Sequence, residues 1–202
     1  MAKIGLFFGT FNPIHVGHLI IANHLVETTD LEKVWLVVSP QNPLKQKSTL
    51  LNDGQRLMMV RMAVEDNPKL IASNVEFELE KPSYTVKTLA HLKEKYPTNE
   101  FSLIMGEDNL RTFHKWYNYE KILNDYRIYV YPRVLTETEN NNVDNTPFSD
   151  LHEHPNIAFC RDTPILPISA SFIRAAIQKG QDVRYLLTEP VYHYVDDMRF
   201  YK

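Results

Sequence analysis

The chain has 202 residues, of which 44% are hydrophobic and 23% charged, and its formal net charge is −3. These are ordinary values for a globular protein with a buried core, and they give no sign of the basic surface that nucleic acid requires. A single cysteine excludes an internal disulfide, and no apolar run approaches the roughly 20 residues of a membrane span, so we expect one cytoplasmic domain over residues 1–202 without a nucleic-acid or membrane partner.

Short apolar runs alternate with amphipathic segments along the chain. The apolar runs predict strands at 4–8, 34–38, 71–77, 101–105, 127–131 and 157–159. Helices are predicted from Val16 or Gly17, after an N-cap at Asp53, over 84–96, over 171–179 and in the tail from 183 to 194. Alternation of this kind favours the α/β class: a Rossmann-like open parallel sheet with helices on both faces and a small C-terminal helical part.

The segment from Thr136 to His154 is polar and rich in asparagine, which predicts a long exposed loop. It contains His152-Glu153-His154, but zinc motifs on helices place two histidines four residues apart, and this triplet lacks that spacing. We therefore predict no metal site there.

The loop after the first predicted strand carries the strongest motif, Gly9-Thr10-Phe11-Asn12-Pro13-Ile14-His15-Val16-Gly17-His18. Ligands of open parallel sheets bind at the carboxyl ends of strands, and the N–H groups at a helix start attract anions. His15 and His18 are three residues apart, so a helical turn places them on one side. The loop predicts a phosphate site, although neither Gly-x-x-x-x-Gly-Lys nor Gly-x-Gly-x-x-Gly occurs in it.

A second motif, Ile168-Ser169-Ala170-Ser171-Phe172-Ile173-Arg174, lies near the other end of the chain. Either serine can cap the helix that follows, and a capping hydroxyl can also donate to a phosphate. Arg174 presents a guanidinium that suits phosphate oxygens. Taken alone, this segment is better explained as a well-capped surface helix.

Together the two motifs resemble the signatures of the HIGH-type nucleotidylyltransferase superfamily. The resemblance implies that the catalytic residues are His15, His18 and Arg174, with the histidines stabilising the transition state at the α-phosphorus of ATP. It further implies ATP contacts from Gly9, Thr10, Phe11, Ser169, Ser171 and Ile173, and a requirement for Mg²⁺ carried with ATP.

The middle of the chain indicates the acceptor. The segments Ser83-Tyr84-Thr85, Gly106-Glu107-Asp108 and Trp116-Tyr117 are similar to elements of bacterial nicotinate-nucleotide adenylyltransferases. The similarity implies adenylyl transfer from ATP to nicotinic acid mononucleotide, giving nicotinic acid adenine dinucleotide and pyrophosphate in NAD biosynthesis. Implied acceptor contacts are Asn12, Lys45, Thr85, Trp116 and Tyr117, and implied ATP contacts are Gly106, Asp108 and Arg133.

Other interpretations remain open from sequence. An enzyme acting on phosphopantetheine would share the two phosphate motifs, as would a cytidylyltransferase, but the latter's Arg-Thr-x-Gly-Ile-Ser-Thr segment does not occur here. A regulator could keep the nucleotide site without the chemistry, and an interaction protein would need neither motif. Structural roles are also possible for single residues: Trp116, Tyr117 and Tyr119 as a helix's core face, Lys45 as a solvated loop residue, and Asp108 as a helix cap.

Overall fold

A computed structural model describes residues 1–40, 50–133 and 149–202, and the side chains of all of these except 149 and 150. Its centre is a six-stranded parallel sheet. The strands are β1 (Lys3–Gly9), β2 (Lys33–Val38), β3 (Leu70–Ser73), β4 (Glu100–Gly106), β5 (Ile128–Tyr131) and β6 (Ile157–Phe159). Their order in space is β3-β2-β1-β4-β5-β6, so the direction of winding reverses between β1 and β4. Such a reversal opens a crevice at the carboxyl ends of the two strands.

Helices cover both faces of the sheet. They are α1 (Val16–Thr28), α2 (Asp53–Val64), α3 (Thr85–Lys95), α4 (Glu107–Arg111), α5 (Tyr119–Asp125), α6 (Ser149–His152), α7 (Ala170–Gln178) and α8 (Glu189–Asp197). One core contains buried residues of α1, α2, α7 and α8, and the other contains those of α3, α4 and α5. The predicted class, with helices on both faces and a C-terminal helical part, is confirmed.

Successive residues of each central strand face the two cores in turn. Leu6 of β1 and Leu103 of β4 belong to the α3 side, whereas their neighbours Phe7 and Ile104 belong to the α1 side. Successive strand residues point to opposite faces, so a strand buried on both faces has a continuous apolar sequence. This is why the strand predictions for β1, β2 and β4 hold to within a residue or two.

Several predicted boundaries are wrong. The strand expected over 71–77 ends at Ser73, because the chain turns there into a 3₁₀ helix at Val75–Glu78. The N-cap of α2 is Asn52, whose side chain accepts the N–H of Gln55 at 2.8 Å, and Asp53 is the first helical residue.

The tail and the polar segment also differ from expectation. The tail predicted as helix from 183 to 194 divides into a 3₁₀ turn at Arg184–Leu186 and the helix α8. The loop predicted over 136–154 contains α6 in its last part, while residues 136–148 lie outside the described residues. His152 stacks on Phe159 with ring centroids 4.5 Å apart. No helix in the described ranges is long and apolar enough to cross a membrane.

Candidate active site at the reversal of the sheet

The loop between β1 and α1 is shaped by close packing. Phe11 has a left-handed φ of 45° and is buried, and its ring covers the end of β1. A methyl group at Gly9 would lie 2.8 Å from the Phe11 ring, so any larger residue at position 9 would displace that ring. The Asn12–Pro13 peptide that follows is cis. The glycine expected to admit a ligand therefore also admits the Phe11 side chain.

His15 and His18 lie together at the start of α1. Their rings stack with centroids 3.7 Å apart, and the backbone N–H of His15 donates to Nδ1 of His18 at 3.3 Å. When His18 is neutral, an accepting Nδ1 places the proton on Nε2, where it can be donated to an anion. Gly17 makes room for this pair, because a methyl group there would lie 3.1 Å from Nδ1 of His15. The predicted pairing of the two imidazoles on one side is confirmed.

His15 is the more buried of the pair, with 5% of its surface exposed. Burial, with a smaller contribution from the positive charge of Arg133, lowers the pKa of its imidazole from 6.5 to about 4. Its buried Nδ1 has no hydrogen-bond partner within the described residues. The uncharged His15 can donate a hydrogen bond to a phosphate, and a bound polyanion would favour its protonation.

The second motif meets the first on the face of the sheet where α1 and α7 share one core. Ser169 caps α7 by accepting the N–H of Phe172 at 3.2 Å, which settles the choice between the two serines. Nη1 of Arg174 donates to the backbone carbonyl of Asn12 at 2.8 Å, and Nη2 contacts the hydroxyl of Ser171 at 3.2 Å. Ile173 is buried in the core beneath. Two motifs about 160 positions apart thus form one site at the end of β1.

The ends of β4 and β5 add charges to this site. Gly106 is the N-cap of α4, and Asp108 lies in its first turn, so the capping role considered for Asp108 is wrong. Nη1 of Arg133 pairs with Oδ2 of Asp108 at 2.5 Å, and Oδ1 is buried without a partner in the described ranges. Gly106 is needed here, since a methyl group would lie 2.5 Å from that oxygen. We call Asn12, His15, His18, Arg133 and Arg174 the histidine cluster.

Aromatic rings gather at the start of α3. The rings of Tyr84 and Tyr117 lie 5.0 Å apart, and Trp116 packs edge-on against the buried Phe113 at 5.4 Å. Tyr84 is the N-cap of α3 and Thr85 its first residue, so the first-turn N–H groups of the helix lie beside these rings. We call Tyr84, Thr85, Trp116 and Tyr117 the aromatic cluster. Trp116 is partly buried against the core, as expected for a core-facing side chain, whereas Tyr117 is 54% exposed and does not belong to the core.

A buried carboxylate supports the aromatic cluster. Glu76 accepts hydrogen bonds from the hydroxyls of Thr88 at 2.8 Å and Ser83 at 3.2 Å. Thr88 belongs to the first turns of α3, and Ser83 immediately precedes its N-cap. Glu76 therefore fixes the helix start, a role that sequence analysis missed because the residue was expected in a strand.

Arg56 was also missed, although its side chain is fully buried. It donates to the carbonyls of Thr10 at 2.5 Å, Ser39 at 2.9 Å and Leu51 at 3.0 Å, and it pairs with Asp53 at 2.6 Å. It thereby connects the ends of β1 and β2 with the start of α2. The sequence carried a signal, because Arg56 occupies a position on the same helix face as the buried Met59 and Val60.

Two predictions cannot be placed in the same way. Lys45 lies outside the described residues. No group of three or more histidine, cysteine, aspartate or glutamate side chains lies together as a metal-binding set in the ranges 1–40, 50–133 and 149–202.

The strand order reverses beside two paired imidazoles at a helix start, and a serine-capped helix brings an arginine to the same point. These features define an α/β nucleotide-binding protein of the nucleotidyltransferase type. Comparison with known proteins agrees, since the cytidylyltransferase-like family matches residues 6–176. A Flavobacterium johnsoniae protein named "Probable nicotinate-nucleotide adenylyltransferase" is 58% identical over 200 residues, covering 99% of both chains. A Flavobacterium psychrophilum protein of the same name is 54% identical with the same coverage. The chain belongs to the nicotinate-nucleotide adenylyltransferase family.

A solved structure agrees on the fold. The Plasmodium falciparum nicotinic acid mononucleotide adenylyltransferase complexed with NaAD superimposes with a TM-score of 0.76 at 17% identity, covering 100% of this chain and 98% of that one. At such low identity the likeness concerns the fold, which the two proteins share over their whole length.

Proposed function

We propose that this chain transfers the adenylyl group of ATP to nicotinic acid mononucleotide, releasing pyrophosphate, and that residues 1–202 act as one cytoplasmic domain. The observation that carries the proposal is the meeting of both phosphate motifs at one point, where Arg174 donates to the carbonyl of Asn12 three residues before His15. Family membership supports the choice of acceptor. A regulator that only binds nucleotide would not need two imidazoles at the point where reaction charge develops.

The ATP side of the proposal rests on the histidine cluster. His15 and His18 would donate to the α-phosphoryl oxygens, and Arg174 would hold the β- and γ-phosphates. The remaining proposed ATP contacts lie around this point: Gly9, Thr10, Phe11, Gly106, Asp108, Arg133, Ser169, Ser171 and Ile173. Asp108 is suited to a ribose hydroxyl, because its buried Oδ1 is available to accept a hydrogen bond.

The acceptor side rests on the aromatic cluster. The N–H groups at the start of α3, around Thr85, would bind the nicotinate carboxylate, while Trp116 and Tyr117 would contact the pyridine ring. Asn12 and Lys45 are proposed to reach the phosphate of the mononucleotide. The side-chain oxygen of Asn12 already accepts two hydrogen bonds, from the N–H of Leu51 and the hydroxyl of Tyr201.

The proposed reaction is a single displacement. An oxygen of the mononucleotide phosphate attacks the α-phosphorus of ATP, and the bond from that phosphorus to the oxygen bridging the β-phosphate breaks. Pyrophosphate leaves with the bridging oxygen and its electron pair. Holding the two phosphates in line contributes roughly 7–11 kcal/mol. Hydrogen bonds from the histidine cluster stabilise the charge that develops, and no covalent enzyme intermediate is needed.

Nucleotidyltransferases of this kind commonly use a divalent metal with ATP. We propose Mg²⁺, which suits a site where the triphosphate supplies the ligands. In the described residues Asp108 is the carboxylate of the site, and one of its oxygens is already paired with Arg133. The metal would supply charge neutralisation on the triphosphate, and the residues of this chain would orient the two substrates.

Preference for nicotinate over nicotinamide would follow from charge. A carboxylate offers two charged acceptors to the N–H groups at the start of α3, whereas a carboxamide offers one neutral acceptor and a donor that those groups cannot satisfy. Charge-assisted hydrogen bonds are stronger than neutral ones, so we expect a preference on the order of 1–3 kcal/mol.

The test is pyrophosphate release from ATP and Mg²⁺ with nicotinic acid mononucleotide, nicotinamide mononucleotide or phosphopantetheine as the acceptor. Release chiefly with the nicotinic acid form is expected. Release chiefly with phosphopantetheine would contradict the assignment of the aromatic cluster as a nicotinate site. Equal release with the two mononucleotides would contradict the proposed contact between the nicotinate carboxylate and the start of α3. No release with any acceptor would favour the regulator.

A further inference from the structure

The residues after α8 fold back onto the active site. The helix ends in a left-handed turn at Arg199, with φ 50°, and the N–H of Phe200 donates to the carbonyl of Val195 at 3.0 Å. Phe200 is buried in the core against Tyr194, with ring centroids 5.4 Å apart. Tyr201 follows with a φ of 67°, also in the left-handed region. Non-glycine residues adopt this region at a cost, and the surrounding contacts must hold them there.

This geometry delivers the hydroxyl of Tyr201 to the loop after β1. The hydroxyl donates to Oδ1 of Asn12 at 2.8 Å, across 189 positions of sequence. Asn12 is buried, with 3% of its surface exposed, and the same oxygen accepts the N–H of Leu51 at 3.2 Å. One amide oxygen thus connects the loop before His15, the residues before α2, and the last turn of the chain.

The hydroxyl of Tyr201 is also affected by the positive charges of Arg174 and Arg56. Burial raises the pKa of its hydroxyl, against the opposing positive charges of Arg174 and Arg56, so the hydroxyl stays protonated as a donor. Arg174 holds the carbonyl of Asn12 while Tyr201 holds its side chain. The backbone and the side chain of Asn12 are therefore fixed from two different C-terminal elements.

We infer that Tyr201 is a positioning residue for adenylyl transfer: it fixes Asn12 and thereby sets where Arg174 and the start of α1 meet the triphosphate. The inference rests on the proposed function. Tyr201 acts through Asn12, so its loss should weaken ATP binding and in-line alignment without removing a group that contacts ATP.

The test compares Tyr201→Phe with Tyr185→Phe. Both changes remove one phenolic oxygen, but Tyr185 is 89% exposed in the 3₁₀ turn before α8. A neutral hydrogen bond contributes about 1 kcal/mol, so Tyr201→Phe should lower kcat/KM for ATP about five- to tenfold. Tyr185→Phe should change it less than about twofold. Both variants are assayed well below their melting temperatures, with folding checked by circular dichroism.

A second readout separates this inference from the proposed function. The Kd of ATP, measured by calorimetry without any acceptor, should rise several-fold in Tyr201→Phe and stay unchanged in Tyr185→Phe. If the wild type bound ATP but released no pyrophosphate with nicotinic acid mononucleotide, the proposed function would fail while the difference in Kd still tested Tyr201. A folded Tyr201→Phe with wild-type kcat, KM and Kd would overturn the inference, as would equal losses in both variants.

Discussion

The histidine cluster is assembled mainly from the two ends of the sequence, whereas the aromatic cluster is assembled from segments that lie closer together in the middle of the chain. Hydrogen bonds to Asn12 come from residues 162 and 189 positions away. The aromatic cluster draws on the start of α3 and the turn before α5, and Tyr117 within it is more than half exposed. The histidine cluster therefore depends on both ends of the chain being in place, and the aromatic cluster depends on the segments between Glu76 and Tyr117.

This difference has a functional meaning. A buried network of hydrogen bonds holds its members to one geometry, because an unpaired polar group in the core costs free energy. If the proposed function holds, displacing a residue of the histidine cluster should affect both the binding of ATP and the alignment of its reacting phosphorus. A change in the aromatic cluster should affect only the binding of the acceptor. Four predictions test this contrast, from the largest expected effect to the smallest.

Arg56→Leu should cost the most stability. The change leaves the carbonyls of Thr10 and Ser39 without their guanidinium donor and leaves Asp53 without this partner, so we expect a loss of about 3–5 kcal/mol in the free energy of unfolding. Arg61→Leu on the same helix is the control, since Arg61 is exposed and its substitution should cost less than about 0.5 kcal/mol. Urea unfolding measures both, and equal losses would show that Arg56 does not connect these segments.

His18→Ala should lower turnover about 10²- to 10³-fold, the range found when one donor to a developing oxyanion is removed. Folding should change little, because His18 is a partly buried residue at a helix start. His24→Ala, two turns further along α1, is the control and should retain near-normal turnover. The measurement is pyrophosphate release at saturating substrates with melting curves alongside. Near-normal turnover in a folded His18→Ala variant would remove His18 from the proposed catalytic residues.

The sequence predicted the motif residues of the candidate site better than the residues that support them, for a physical reason. His15, His18, Ser169 and Arg174 lie in short motifs whose spacing already places them at helix starts, and the structure brings them together as expected. The roles of Tyr201 and Glu76 depend on where separate segments meet, and no local pattern encodes that. A boundary error arose in the same way: the apolar strand pattern continues past Ser73, but the chain turns there into a 3₁₀ helix, where Glu76 accepts hydrogen bonds from the hydroxyls of Ser83 and Thr88.

His15 predicts a dependence of stability on pH. The pKa of its imidazole is about 4 in the folded protein, compared with the ordinary value of 6.5 that applies to the unfolded chain. The stability that comes from keeping His15 neutral is therefore fully present above pH 6.5. It is lost as the pH falls toward 4, because the unfolded chain gains a proton that the folded chain excludes. Between pH 7.5 and pH 4.5 the wild type should lose about 2–3 kcal/mol more than His15→Asn. Urea unfolding at both pH values measures this difference, and parallel losses would show that His15 is not held neutral.

Tyr117→Ala should have the smallest effect and the most selective one. The ring is more than half exposed and contacts Tyr84, so its removal should leave the melting temperature within a few degrees of the wild type. Stacking of an aromatic side chain on a base contributes about 1–3 kcal/mol, and an exposed ring belongs at the low end. We therefore expect about a fivefold rise in KM for nicotinic acid mononucleotide with KM for ATP unchanged, measured by varying each substrate separately. An equal rise in both KM values would mean that the aromatic cluster is coupled to the histidine cluster, and the contacts at the start of α3 alone would then be insufficient to explain how the acceptor is held.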